Sequence, residues 1–125
     1  LDSTVLIDAL RGRPAAERIR RLRRDGVQPW VCAISVEEVW RGLRPDEHAA
    51  AHRLFNGLRL ARLGAPEGQR AGSWRRDYAH QGITLHQADC LVAAAAIGIG
   101  APLATANTAD FPMPELTVEN WPVGE

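Results

Sequence analysis

Leu1-Asp2-Ser3-Thr4-Val5-Leu6-Ile7-Asp8 is the stretch on which the reading of the whole chain turns. An apolar residue is followed by an acidic one, then by two hydroxyl residues, then by an apolar run at helical spacing. The pattern is that of a buried strand ending at Asp2 and passing at once into a helix, with Ser3 or Thr4 as the expected cap. In an open parallel sheet, ligands bind just outside the carboxyl ends of the strands, and Asp2 then stands at that edge. The first strand is reduced to Leu1, so a few residues are expected to precede it.

Outward from this stretch, helices and strands alternate. Residues 3–11 read as a short helix stopped by Gly12. Pro14 opens a second helix running to about Arg24, with Asp25-Gly26 as its end. Its outer face carries Arg18, Arg20, Arg21, Arg23 and Arg24, either a solvated face or a surface for a partner or RNA. Residues 29–34 (Pro-Trp-Val-Cys-Ala-Ile) read as a buried strand, and Ser35 as the N-cap of the helix that follows. Residues 46–63 read as one long amphipathic helix with Leu54, Leu58 and Leu63 toward the core. Residues 66–81 read as another, carrying Trp74 and Tyr78.

Thr84-Leu85-His86-Gln87 has the hydroxyl-x-x-Gln form of a capping box. It opens an Ala-rich helix over residues 89–96 that ends in Gly98 and Gly100. Residues 102–105 read as a strand and 116–118 as a last short one. The alternation predicts one α/β domain over residues 1–125, with a mainly parallel sheet flanked by helices.

Composition sets bounds on function. The 125 residues are 46% apolar and 24% charged, as in an ordinary globular domain. No apolar run approaches the roughly 18 to 20 residues that cross a bilayer, and no secretory leader is read. Cys32 and Cys90 sit in apolar contexts and read as buried, reduced thiols. Reduced thiols favour the cytoplasm. The formal charge is zero, yet all 15 basic residues are Arg. The Arg fork suits phosphate, and a neutral total confines any nucleic-acid surface to a local patch.

Four acidic residues stand at comparable places in this reading. Asp2 ends the first strand, and Glu38 is in the first turn of the helix after the second. Asp89 is in the second turn of the Ala-rich helix. Asp110 follows the strand at 102–105, with Asn107 between. Carboxylates sharing one cleft repel one another, and a divalent cation removes the conflict. Oxygen-only ligands favour Mg²⁺ or Mn²⁺ over zinc. Each residue also has a local use: Asp2 as a cap, Ser35-x-x-Glu38 as a capping box, Asp89 at a helix dipole, Asp110 in a turn. His48 and His52 lack a third ligand, His86 reads as local to the helix cap, and Asp8 as exposed or supporting.

These stretches resemble, in family order, the PIN-domain ribonucleases, and specifically the VapC toxins of bacterial toxin–antitoxin modules. The matching pieces are the opening stretch, Ser35-Val36-Glu37-Glu38-Val39-Trp40-Arg41-Gly42, Leu85-His86-Gln87-Ala88-Asp89-Cys90-Leu91-Val92-Ala93-Ala94, and Leu103-Ala104-Thr105-Ala106-Asn107-Thr108-Ala109-Asp110-Phe111. The resemblance implies a PIN-like three-layer fold with an acidic Mg²⁺ site for endonucleolytic hydrolysis of structured RNA, such as tRNA or rRNA. It matches Asp2, Glu38 and Asp89 to the principal metal-holding acids. Thr4 takes a small polar slot, and Thr105-x-Asn107 the Thr-x-Asn/Asp slot. Asn107 makes the fourth position a neutral amide there, and Asp110, just before Phe111, is the acid able to compensate. A VapB-type antitoxin and a homodimer are implied as partners. A catalytically weak, partner- or RNA-binding PIN-like module is the alternative. A haloacid-dehalogenase-type phosphatase would need a second Asp where Thr4 stands.

Overall fold

Two short parallel ladders and the start of the chain together make the sheet. β1 (Trp30–Val31) pairs with β2 (Arg59–Leu60), Trp30 opposite Arg59 and Val31 opposite Leu60. β3 (Leu103–Thr105) pairs with β4 (Val118–Asn120), Leu103 opposite Val118 and Thr105 opposite Asn120. The Leu1 nitrogen donates to the Trp30 carbonyl at 2.9 Å, and the Asp2 N–H donates to the Ala104 carbonyl, also at 2.9 Å. Leu1 and Asp2 therefore lie between β1 and β3, giving the order β2, β1, Leu1–Asp2, β3, β4. The computed structural model describes residues 1–124.

Helices cover both faces of this sheet. Successive side chains of a strand point to opposite faces. In β3, Leu103 packs with Cys90, Val92 and Phe111, whereas Ala104 packs with Val5, Ile19 and Trp121. Cys90 and Val92 belong to α6 (Gln87–Gly98), backed by α5 (Ala65–His80), and Phe111 to the loop after β3. On the other face, Val5 belongs to α1 (Ser3–Leu10) and Ile19 to α2 (Pro14–Arg24), with Trp121 just after β4. α1 spans the seam: Val5 packs with Ala104, and Leu6 packs with Val31. The helix that follows Asp2 is thus anchored to both neighbours of the Leu1–Asp2 stretch. A parallel sheet buried on both faces is the three-layer α/β arrangement expected from the alternation.

Several local expectations are corrected. Asp2 occupies the N-cap position of α1, so Ser3 and Thr4 lie inside the helix and neither caps it. The strand at 29–34 is shorter, because the chain turns into α3 (Ala33–Arg41) directly after Cys32. Ser35 is consequently a fully buried residue inside α3, and no Ser35-x-x-Glu38 capping box forms. This moves Glu38 into the second turn. The helix expected over 46–63 is a 3₁₀ turn at Pro45–Glu47 followed by α4 (His48–Asn56). It stops at Gly57, where the Arg23 guanidinium fills the place a Cβ would take, and the chain then leaves to form β2.

The remaining corrections are smaller. α6 begins at Gln87 with His86 in the N-cap position and no side-chain cap, so Thr84 closes no capping box and Asp89 falls in the first turn. β4 lies two residues beyond the expected strand at 116–118. Residues 3–11, 14–24 and 66–81 match α1, α2 and α5 to within one residue at each end. Gly12 closes α1 with φ +67°, a conformation that costs glycine little. Cys32 and Cys90 are free and buried. Among the described residues, no helix is long and apolar enough to cross a membrane.

Candidate active site

Asp2 is delivered to the sheet edge by its own ladder bond and is almost wholly buried, 5% exposed. Burial of a carboxylate requires compensating donors. Two hydroxyls supply them to the same oxygen: Thr105 donates to Oδ2 at 2.8 Å and Thr4 donates to Oδ2 at 3.2 Å. Each hydroxyl oxygen is held in turn from the backbone. The Asn107 N–H donates to Thr105 Oγ1 at 3.0 Å, and the Ala106 N–H donates to Thr4 Oγ1 at 3.3 Å. The loop after β3 is thereby tied to the start of α1. Oδ1 receives no donor from the described residues. Ser35 Oγ is the only buried side-chain polar atom left without a partner among them, so Oδ1 keeps a path to solvent.

Asp89 projects from the first turn of α6, half-buried. Its carboxyl is pushed up to about 6, first by burial and then by the charges of Asp110 and Asp2, with Glu38 adding to them and His86 opposing. Acids from three other segments therefore act on Asp89. A helix N-terminus ordinarily favours a charged Asp. Here burial and the other acids outweigh it.

The remaining members differ in setting. Glu38 is half-buried in the second turn of α3. Asp110 ends an exposed 3₁₀ turn, Thr108–Asp110. Asn107 is exposed immediately before that turn, and its backbone N–H, not its amide, makes the bond to Thr105. Asp8 lies apart from the cluster. It is buried at the other end of α1, where it accepts the Ala15 and Gly124 N–H groups at 3.0 Å each.

The cluster is loose. Among the described residues, no group of three His, Cys, Asp or Glu side chains stands close enough to ligate one metal directly. Mg²⁺ commonly binds through one or two carboxylates while keeping several waters, so its binding does not require such a group. The donor set fits a hard cation: it is all oxygen, it is crowded with negative charge, and Asp2 presents one carboxylate oxygen while the other is held fixed. In the sequence His86 reads only as local to the helix cap. It makes no cap bond, yet its charge reaches Asp89. Its place three residues before Asp89 is the signal that could have marked it.

Comparison with known proteins identifies the family and the fold. The PIN domain family model matches residues 1–112. Ribonuclease VapC19 of Mycobacterium tuberculosis is 34% identical over 121 aligned residues, covering 90% of this chain and 91% of the relative. VapBC2 from Rickettsia felis, solved bound to a DNA fragment from its promoter, superposes with a TM-score of 0.85 at 20% identity, covering 97% of this chain and 96% of the matched one. VapBC-1 from nontypeable Haemophilus influenzae superposes with a TM-score of 0.80 at 22% identity, with the same coverage. The two solved structures share the fold. The family match over most of the chain, with the identity to VapC19, means that this chain belongs to the PIN-domain family, among its VapC proteins.

Proposed function

We propose that this chain is the toxin of a VapBC-type module, a Mg²⁺-dependent endoribonuclease centred on Asp2, Glu38, Asp89 and Asp110. Mn²⁺ is the expected substitute cation. One observation carries the reading: Asp89 is pushed up to about 6 first by burial and then by acids from three other segments, beside the half-held carboxylate of Asp2. A purely structural use of Asp89 would not gather three more acids around it.

In this reading Asp2, Asp89 and Glu38 hold the cation, partly through water, and Asp110 stands where an acid can compensate for the neutral amide of Asn107. Thr4 and Thr105 keep Asp2 oriented and leave Oδ1 for ligation. A bound divalent cation would lower the pKa of a water and neutralise charge developing on the phosphate. The reaction is hydrolysis: a water oxygen bonds to phosphorus, and the bond from phosphorus to the 3′ oxygen breaks. Products carry a 5′-phosphate and a 3′-hydroxyl, because water and not the ribose 2′-hydroxyl attacks.

Structured RNA, tRNA or an rRNA loop, is the proposed substrate class, and the cytoplasm the proposed compartment. A VapB-type antitoxin is the proposed restraint and a second copy of this chain a further partner. The half-buried Trp40, edge-on to His48 and His52 and packed on Phe55, offers an apolar surface for the antitoxin, and the Arg-bearing α2 is a second candidate contact region. The names of the solved neighbours, both VapBC assemblies, support this reading.

A weakly catalytic binding module is the competing reading, favoured by the amide at Asn107 and the loose spacing of the acids. End-mapping of RNA incubated with purified, antitoxin-free protein and Mg²⁺ decides between them. Metal-dependent cuts with 5′-phosphate ends support the nuclease. Intact RNA, or cuts ending in cyclic phosphate, would remove it.

A further inference from the structure

The sheet has an open edge at β2. The Arg59 N–H donates to the Pro29 carbonyl at 3.2 Å, and the Ala61 N–H donates to the Val31 carbonyl at 2.8 Å, both toward β1. Along a strand the backbone groups of successive residues turn to opposite sides. The N–H and C=O of Leu60, between these two, therefore point away from β1, to the side where no strand pairs among the described residues. Leu60 itself is 62% exposed, more than any other large apolar residue described. Such an edge is a template for another extended chain.

The side chains along the edge select the kind of chain. Arg59 lies over the Trp30 ring at 5.7 Å, on the α5–α6 face where Ala61 is buried. Leu60 stands on the opposite face by the alternation of the strand, and the exposed Arg62 follows two residues beyond it. Neither Arg59 nor Arg62 enters an ion pair among the described residues. From His48 to Pro66 the chain carries Arg53, Arg59 and Arg62 but neither Asp nor Glu. A second copy is a poor fit, because its edge brings the same unpaired Arg residues and no acid to meet them. A nucleic acid could meet the charges, but it has no peptide groups to continue the ladder.

We propose that the β2 edge is a docking site for an extended acidic segment of a partner protein, added to the sheet as a strand. Its backbone pairs with the free N–H and C=O of Leu60, which gives affinity, and its side chains give specificity. An apolar side chain covers Leu60, and carboxylates meet Arg59 and Arg62. β1 separates this edge from the Leu1–Asp2 stretch, and the proposal stands without the nuclease reading.

The test is fluorescence anisotropy of a labelled peptide of two Glu-Val-Thr-Glu units with the antitoxin-free chain, against the same peptide with Lys for Glu. Amide hydrogen exchange is read at Leu60. The acidic peptide should bind saturably, bind more weakly as salt rises, and protect the Leu60 N–H. The basic peptide should do neither. The double variant Arg59→Glu, Arg62→Glu, changed only at exposed positions, should lose the acidic peptide by about tenfold or more and gain the basic one. Leu60→Asn should weaken the acidic peptide about fivefold through lost apolar cover. Equal binding of the two peptides, or acidic-peptide binding that charge reversal leaves unchanged, overturns the site. Leu60 protected by single-stranded RNA or by self-association, but not by the acidic peptide, overturns it too and assigns the edge to that occupant.

Discussion

Thr105 and Asp2 are 103 positions apart in sequence, and the Thr105 hydroxyl donates to the Asp2 carboxylate at 2.8 Å in a fully buried contact. The same hydroxyl accepts the Asn107 N–H, so one side chain fixes both an acid of the site and the loop leading to Asp110. Thr105→Val keeps the shape and removes both roles. It should cost about 1–3 kcal/mol of stability, as expected for a buried charged acceptor losing a donor. RNA cleavage should fall at least tenfold. Thr105→Ser should retain most of both. Thermal melts and cleavage rates check this, and a Thr105→Val protein cleaving like wild type would show that Asp2 needs no such support.

Asp89 should make the protein less stable where the protein works. Its folded-state carboxyl, at about 6, lies above its reference value of 3.8, so the folded chain favours the protonated form. That contribution to stability is complete below pH 3.8 and is lost as pH rises through about 6. Without divalent cations, Asp89→Asn should melt a few degrees higher than wild type near neutral pH, and the gap should close in acid. The group is partly exposed, and solvent screening keeps the effect modest. Melting curves in chelator across that range check it. A variant less stable than wild type at neutral pH would contradict the crowding of acids around Asp89.

Glu38→Gln separates two uses of one residue. With Ser35 buried inside α3, a capping box is excluded, and the amide should leave folding unchanged. Cleavage should fall by two or more orders of magnitude, if the carboxylate helps hold the cation. Near-wild-type cleavage by a normally melting protein would remove Glu38 from the site.

What was legible in the sequence follows from how local each signal is. The strand-end Asp2 followed by α1, and the Ala-rich α6 with Asp89 near its start, are written within a few residues. β2 was not legible: Arg59 and Leu60 are both exposed, so they show neither the alternation nor the apolar run of a strand. Leu54 and Leu58 instead continued the helical period past Gly57, and only the Arg23 side chain, from a distant helix, marks the break. Ser35 misled because a hydroxyl three residues before Glu looks the same whether it caps a helix or lies inside one. The Thr105–Asp2 bond joins distant positions, and no local pattern encodes it.

Asn107→Asp should strengthen the site. A carboxylate in place of the exposed amide adds charge beside Asp110 and should lower the Mg²⁺ concentration for half-maximal cleavage several-fold. At the same time it should destabilise the metal-free fold, since another like charge joins the cluster. A metal titration of cleavage checks the first effect, and melting in chelator checks the second. No change in either would place Asn107 outside the field of the acids.

Mn²⁺ binding to the antitoxin-free chain, counted by electron paramagnetic resonance titration, tests the shared cation site most directly. The expected result is saturable binding in wild type that is lost in both Asp2→Asn and Asp89→Asn, with each variant still folded. Binding that persists unchanged in either variant would mean that these two carboxylates do not hold a common ion.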